Sequence, residues 1–208
     1  MNRNQRILEE VKKLKAITET GLVYCENEYD IDRYKELHEM SLRLMSELTE
    51  HPVETLKMQL PMSADYPTAK VDVRCMILSG QKEVLLVQES LDGKWSLPGG
   101  WADIGSSPRE TAIKECKEET GLDVVPETLL AVLDKKMHAH PPQAFYVYKL
   151  FFHCRATSAE LKKGFDALDV KYFSIDNLPE LSEDRILKSQ IEMMHQKIMT
   201  HDLVTVFD

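Results

Sequence analysis

The chain has 208 residues, which accommodates one large domain or one domain with a small appendage. Its hydrophobic content of 43% and charged content of 29% are those of ordinary globular proteins, so disorder over most of the length is excluded. The net charge of -9 argues against a protein that holds nucleic acid on a broad basic face, although a bound cation would still allow a phosphate substrate.

The first part of the chain predicts helices. Residues 3–20 and 31–50 carry apolar side chains at spacings of three and four, and a short third helix is predicted over 53–56. The predicted apolar faces of the two long helices consist of Ile7, Val11, Leu14 and Ile17, and of Tyr34, Leu37, Met40, Leu44 and Leu48. Gly21 is the expected end of the first helix.

These helices predict a small N-terminal domain over residues 1–58, followed by a proline-containing linker over 59–68. A helical domain of this size is marginal by itself, so its apolar face needs a surface to bury against. We expect it to mediate homodimerisation.

After the linker the pattern changes to short strands, which predicts an α/β domain over residues 69–208. The predicted strands cover residues 70–79, 83–88, 129–133, 145–154 and 170–173, with a possible edge strand within 203–207. A last helix is predicted over 183–199, with Ser182 as its cap.

Two features favour a cytoplasmic protein. Apolar runs are shorter than the roughly 18 residues of a membrane span, and the charged N-terminus does not resemble a secretory signal. The four cysteines are widely separated and form no C-x-x-C pair, so we expect reduced thiols that are mostly buried: Cys25, Cys75, Cys116 and Cys154.

One segment predicts a helix with both ends specified. Ser107 is a good N-cap, Pro108 occupies the first helical position, and Glu110 completes a capping box with Ser107. Gly121 closes the helix.

This helix places three carboxylates on one face, because Glu115, Glu118 and Glu119 are spaced i, i+3 and i+4. Spacing alone also fits a solvated acidic face. The preceding double glycine, Gly99 and Gly100, favours a ligand site, because glycine lets the backbone bend sharply and approach a ligand. A hard cation such as Mg²⁺ or Mn²⁺ would relieve the repulsion among the three charges.

The segment resembles the Nudix signature, in which a glycine and a glutamate precede an Arg-Glu-apolar-x-Glu-Glu-x-Gly-apolar helix. The matching residues are Gly100, Glu115, Glu118, Glu119, Gly121 and Leu122. The chain departs from the signature at Ser106, where the family has Glu, at Lys114, where it has Arg, and mildly at Cys116. In the family, that Glu and Arg form a supporting ion pair, so we expect this pair to be lost here. The resemblance covers roughly residues 69–200.

The resemblance implies a Nudix fold, a mixed sheet sandwiched between helices, preceded here by the small helical domain. It also implies Mg²⁺- or Mn²⁺-dependent hydrolysis of a nucleoside diphosphate linked to another group X. The implied metal site comprises Glu115, Glu119, Glu118 and Gly99. The general base is open between a glutamate of the signature, Glu118 or Glu115, and a carboxylate on a later loop, Glu160, Asp166 or Asp169.

Candidate substrate-binding residues lie outside the signature. Arg74, on a predicted strand, is assigned either to a phosphate contact or to a surface strand position, and Trp101 to stacking on a base. His138 and His140 belong to a proline-rich loop that we expect to be exposed beside the substrate.

The helical start and the Gly-Gly-Trp-Ala-Asp-Ile-Gly-Ser-Ser-Pro form of the signature resemble most closely the CDP-choline pyrophosphatase type, so CDP-choline is the first predicted substrate. The alternatives are ADP-ribose, hydrolysis at RNA ends, and a Nudix-like module that binds nucleotides without turnover. A stable nucleic-acid complex and a membrane association are not expected.

Overall fold

The computed structural model describes residues 3–49, 51–62 and 65–208. The chain divides into two compact units. The first runs to Ala69 and also includes Pro142–Tyr146, and the second comprises Lys70–Pro141 and Val147–Asp208. The predicted N-terminal domain and linker, residues 1–68, fall within the first unit. The sequence did not indicate that Pro142–Tyr146 also belongs to it.

The first unit contains three helices, α1 (Arg3–Tyr24), α2 (Glu28–Thr49) and α3 (Val53–Gln59). Its apolar core is formed by Leu8, Val11, Leu42, Met45 and Leu56, with Ala144 of the returning segment packed against it. Tyr146 adds a hydrogen bond from its hydroxyl to the Glu9 carbonyl oxygen, 3.1 Å away.

One expectation for the first unit is wrong: helix α1 does not end at Gly21 but continues to Tyr24. The Tyr34 ring occupies the space where a side chain at position 21 would lie, which accounts for the glycine there. The predicted apolar face of α1 is only partly buried within the unit: Val11 lies in the core, whereas Ile7 and Ile17 are 40% and 55% exposed. Within the unit, α1 and α2 instead bury a mixed face that includes Lys15, Glu19 and His38.

The second unit contains two sheets and two α-helices. The strands are β1 (Lys70–Met76), β2 (Val84–Glu89), β3 (Trp95–Ser96), β4 (Gly99–Trp101), β5 (Val124–Asp134), β6 (Val147–Ala156), β7 (Ala167–Phe173) and β8 (Val206–Phe207). The helices are α4 (Pro108–Thr120) and α5 (Lys188–Met199). One sheet has the order β4-β1-β6-β5-β8 and the other β3-β2-β7. Strand β1 is parallel to β6 and antiparallel to β4, so the sheet is mixed.

Apolar side chains of β1 point alternately to the two faces of the sheet, and a helix covers each face. Val73 and Cys75 point into a core that includes residues of α4, whereas Met76 belongs to a second core that includes residues of α5. The predicted fold, a mixed sheet sandwiched between helices after a helical N-terminal domain, is therefore confirmed.

Helix α5 begins at Lys188, several residues later than predicted. Ser182 does not cap it, because its hydroxyl donates to Asp92 Oδ2 at 2.7 Å and accepts from the Arg185 guanidinium at 3.1 Å. The predicted edge strand is present as β8, parallel to β5. Within the described residues, no helix is long and apolar enough to cross a membrane.

Candidate active site

Helix α4 is fixed at both ends, as the sequence predicts. The Ser107 hydroxyl accepts from the Glu110 amide at 3.2 Å, and the Ser107 amide donates to Glu110 Oε2 at 2.8 Å. Gly121 adopts φ 74°, the left-handed conformation that favours glycine, and its amide donates to the Lys117 carbonyl oxygen. The helix therefore holds its carboxylates on a rigid base.

The glycine turn brings backbone directly against two of these carboxylates. The Gly99 amide donates to Glu119 Oε2 at 2.9 Å. Gly99 has φ 143°, and a Cβ there would clash with the Val73 carbonyl oxygen, so only glycine allows β4 to lie this close to β1. A Cβ on Gly100 would lie 2.7 Å from Glu115 Oε2, in the space that this carboxylate uses.

Burial dominates the electrostatics of the site. It raises the pKa of Glu119 to about 7, opposed by the positive charge of Arg74 and by the Gly99 amide. Burial also raises the pKa of Glu115, to which the neighbouring Glu118 adds repulsion while Lys114 and Arg74 oppose it. Ionised carboxylates in this arrangement are costly unless a cation balances them. An all-oxygen donor set with excess negative charge suits Mg²⁺ or Mn²⁺, so the residues fit the metal implied by the sequence.

The comparisons with known proteins agree with this geometry. The chain matches the NUDIX domain family over residues 68–195. It belongs to the Nudix family. Residues 5–60 match a second family, described as a UDP-X-like, N-terminal oligomerisation domain.

Two relatives match nearly the whole of this Nudix chain, and a third matches about two thirds of it. A Bacillus subtilis protein named putative ADP-ribose pyrophosphatase YjhB is 39% identical over 201 residues, 97% of this chain and 96% of the relative. A crystal structure of a UDP-X diphosphatase covers 99% of this chain and 100% of its own, with 30% identity and a TM-score of 0.63. An ADP-ribose pyrophosphatase structure from Streptococcus suis covers 68% of this chain and 100% of its own, with 37% identity and a TM-score of 0.61. The Nudix chain is accordingly a pyrophosphohydrolase.

The departure from the Nudix signature at Ser106 and Lys114 is compensated in the structure. Lys114 Nζ lies 2.7 Å from Asp103 Oδ2 and 4.0 Å from Glu118 Oε2. The family's pair between positions 106 and 114 is absent, and Asp103, three residues before Ser106, supplies a different carboxylate for Lys114. Both side chains are largely exposed, so the pair orients Lys114 more than it stabilises the Nudix fold.

The loop between β6 and β7 is attached to the C-terminal end of α4. The Lys162 amide donates to the Thr120 carbonyl oxygen at 2.9 Å, and the Gly164 amide donates to that of Glu119 at 3.0 Å. A Cβ on Gly164 would clash with the Glu118 carbonyl oxygen, so glycine permits this contact. The loop is thus held beside the helix that carries the glutamates.

The predicted base candidates take different positions in this Nudix chain. Glu118 and Glu160 line the same pocket, of about 670 Å³, together with Lys117, Lys162, Lys163 and Phe165 among others. Asp166 is exposed and does not line this pocket. Asp169 lies on β7, where it accepts from the Val170 amide and pairs with Lys171. Of the three carboxylates predicted on a later loop, Glu160 is the one that shares a pocket with Glu118.

Of the predicted substrate-binding residues, Trp101 is exposed and Arg74 is buried. Trp101 is 49% exposed, with the Lys70 ammonium 5.4 Å from its ring centroid, so an aromatic surface is accessible beside the glycine turn. Arg74 is buried, and its guanidinium donates to Asp72, Ser96 Oγ and the Leu97 carbonyl oxygen. These internal partners leave the predicted phosphate contact without a geometric basis and rule out a surface position.

The proline-rich loop is less exposed than the sequence indicates. His138 is half-buried, with Nε2 3.1 Å from Asp208 Oδ2. The expectation of an exposed side chain is wrong for His140, which is buried. Its Nδ1 donates to the Glu183 carbonyl oxygen at 2.6 Å, and its Nε2 accepts from the Gln190 amide at 3.1 Å. This arrangement requires the neutral imidazole.

Because His140 is buried as a neutral imidazole, we expect the protein to lose stability in mild acid. Burial lowers its pKa to about 4, whereas the unfolded chain takes up this proton near the ordinary value of 6.5. The unfolded state then binds more protons between those values, so the free energy of unfolding falls as the pH drops from about 6.5 to about 4, by about 3 kcal/mol from this group. Urea unfolding at several pH values measures it.

The control for this prediction is a pair of variants. His140→Gln is expected to flatten the pH dependence by one proton, whereas His51→Gln, which replaces an exposed imidazole, is expected to leave it unchanged. Equal slopes for the parent and His140→Gln would contradict the assignment of a neutral buried imidazole.

The second unit also contains a buried network of charged residues that the sequence did not indicate. Asp72 pairs with both Arg74 and Lys149, and Arg74 also lies 3.9 Å from Glu89, which Arg185 contacts at 3.1 Å. Asp72 and Lys149 are directly opposite each other in the parallel β1–β6 register. A charged residue on each of two apolar strands was the available signal, but their pairing depends on a register that the sequence does not specify.

Proposed function

We propose that this Nudix enzyme hydrolyses the pyrophosphate bond of a nucleoside diphosphate linked to a group X, giving a nucleoside monophosphate and phospho-X. The observation that carries the proposal is the pair of half-buried carboxylates, Glu115 and Glu119, held against the glycine turn. With exposed Glu118 they would hold Mg²⁺ or Mn²⁺. Such a cation supplies neutralisation of the pyrophosphate charge and lowers the pKa of the attacking water.

The residues around this site have distinct roles in the proposal. Glu119 is oriented by the Gly99 amide, and Lys114, held by Asp103, reduces the repulsion around Glu118. Glu160 is the proposed general base on the β6–β7 loop, because it shares a pocket with Glu118; Glu118 and Glu115 remain alternatives. Trp101 is proposed to stack on the base of the substrate, since about half of its surface is accessible.

The names of the relatives favour ADP-ribose or a UDP conjugate as the substrate. CDP-choline is the second candidate, and it rests on the form of the glycine turn and signature. RNA ends are a third possibility, although the net charge of -9 disfavours an extended basic track.

A substrate panel tests the proposal. Purified full-length protein is incubated with ADP-ribose, UDP-glucose, CDP-choline and a 5′-triphosphorylated RNA, with Mg²⁺ and with Mn²⁺. We expect AMP or UMP as the main product, with no turnover after chelation. CMP as the main product would establish the CDP-choline candidate instead. Nucleotide binding without turnover of any conjugate would show a non-catalytic Nudix module and refute the proposed activity.

We also propose that the chain is a homodimer that associates through α1 and α2. The apolar residues that these helices leave exposed support it: Ile7, Ile17, Leu37, Met40 and Leu44 are each 37–55% exposed. The match of residues 5–60 to an oligomerisation domain supports the same surface. Light scattering at micromolar concentration is expected to give twice the chain mass of 24.0 kDa, and Ile17→Lys is expected to give the monomer. A monomeric parent protein would rule the dimer out.

A further inference from the structure

Three cysteines that are distant in sequence lie together where α4 packs against the sheet. Cys75 is on β1, Cys116 on α4 and Cys154 on β6, and their sulfur atoms all lie within 4.8 Å of one another. All three side chains are fully buried and carry free thiols. We call this group the thiol triad.

The surroundings of the thiol triad are apolar. The hydrophobic residues packed around it include Val73, Ile77, Ala112, Leu122 and Val124. The charged groups that act on the thiols are of opposite sign, Glu119 on Cys116 and Arg109 on Cys154, with His153 also beside Cys154. In the described part of the chain, no histidine or carboxylate joins the three sulfurs as a fourth ligand. A tetrahedral zinc centre of the structural kind requires four protein ligands, so the triad does not match it.

We propose that the thiol triad is a binding site for a trivalent, thiophilic, three-coordinate ion, of which arsenic(III) is the accessible probe. Soft thiolate ligands select ions of this character. Three-coordinate arsenic(III) is pyramidal, and with bonds to sulfur of about 2.3 Å its three sulfurs lie roughly 3.4 Å apart. The present separations, all within 4.8 Å, therefore need to close by at most about 1.4 Å.

Charge selects the trivalent ion over the others. Three thiolates with a divalent ion carry a net charge of about -1, and with a monovalent ion about -2, and an apolar core cannot compensate either. Three thiolates with a trivalent ion are neutral. The site thus favours an ion that leaves no net charge among Val73, Ile77 and Leu122.

The binding step balances without an oxidant. Arsenous acid, As(OH)₃, exchanges its three hydroxides for the three cysteine sulfurs; each thiol proton leaves with one hydroxide as water, and arsenic remains trivalent. Arsenous acid is uncharged at neutral pH, so its entry into the core requires local opening of the structure but no burial of charge. Binding is therefore expected to be slow.

The experiment measures stoichiometry and site on the folded full-length protein. After incubation with sodium arsenite and gel filtration, native mass spectrometry is expected to show one arsenic per chain with the loss of three hydrogens, and thiol titration to fall from four groups to one. The melting temperature is expected to rise, because the ion binds only the folded arrangement. Cys25→Ala is the matched control and is expected to bind arsenic as the parent does, since Cys25 lies outside the triad.

Cys154→Ala and Cys75→Ala are each expected to lose tight binding, with circular dichroism showing that the variants remain folded. If either variant is unfolded, the thiol count of the arsenite-treated Cys25→Ala protein decides, because it must fall from three groups to none. Retention of arsenic by a folded triad variant, or no arsenic on the Cys25→Ala protein, would overturn the proposal. Binding of Zn²⁺ with displacement of arsenic would overturn the charge argument.

Discussion

Replacing Glu119 with glutamine is expected to reduce hydrolysis by at least about a hundredfold without unfolding the protein. Glutamine removes the negative charge, but its amide oxygen can still accept from the Gly99 amide, now 2.9 Å from Glu119 Oε2. Burial already raises the pKa of Glu119 to about 7, so a neutral side chain is tolerated there. Steady-state rates with the best conjugate of the panel, together with thermal unfolding, measure both effects.

Glu192→Gln is the control for this substitution. Glu192 is on α5, is exposed, and forms only a long ion pair with Lys188 at 3.7 Å, so its replacement is expected to leave the rate unchanged. An active Glu119→Gln enzyme, with a rate within about threefold of the parent, would show that this carboxylate does not hold the metal.

Replacing Asp72 with asparagine is expected to lower the free energy of unfolding by about 3–5 kcal/mol. Asp72 is buried and is the carboxylate shared by Arg74 and Lys149. Without it, Arg74 keeps its hydrogen bonds to Ser96 and Leu97 but only a 3.9 Å contact with a carboxylate, that of Glu89, and buried Lys149 loses its paired carboxylate. Urea unfolding at neutral pH, followed by fluorescence, measures the loss.

Lys149→Met provides the comparison for the same network. It removes one buried cation but leaves Asp72 paired with Arg74 at 3.0 Å, so the expected loss is less than half of that for Asp72→Asn. Burial lowers the pKa of Lys149 to about 8, which shows that this charge is already expensive to hold. A larger loss in Lys149→Met than in Asp72→Asn would mean that the lysine, not the aspartate, organises the network.

Helix α4 was predictable because the residues that define it interact locally. Ser107, Glu110 and Gly121 define its ends through contacts within a few residues, and the i, i+3, i+4 spacing of the glutamates fixes their common face. The departures at Ser106 and Lys114 were visible as well. The compensating carboxylate of Asp103 was not, because it depends on how the loop before the helix folds back.

Features that depend on tertiary packing could not be predicted from the sequence. The buried faces of α1 and α2 are mixed rather than apolar, since the Glu19 carboxylate lies 2.6 Å from Lys15 Nζ and 3.4 Å from His38 Nε2 inside the unit. Periodicity therefore identified the helices and an apolar face, but it did not indicate that polar side chains share the core of the unit. The burial of Arg74 and His140 and the meeting of Cys75, Cys116 and Cys154 also require the sheet register and the strand order.

The short segment Pro142–Tyr146 has a consequence for how this protein can be divided. Its Ala144 packs against the core of the N-terminal unit, its Tyr146 donates to Glu9, and the Lys12 ammonium lies 4.3 Å from the Tyr146 ring. The N-terminal unit therefore cannot be excised as one continuous segment, because a fragment that ends at Ala69 lacks these contacts. During synthesis the same unit stays incomplete until the ribosome has passed Tyr146, when β1 to β5 of the other unit have already been made.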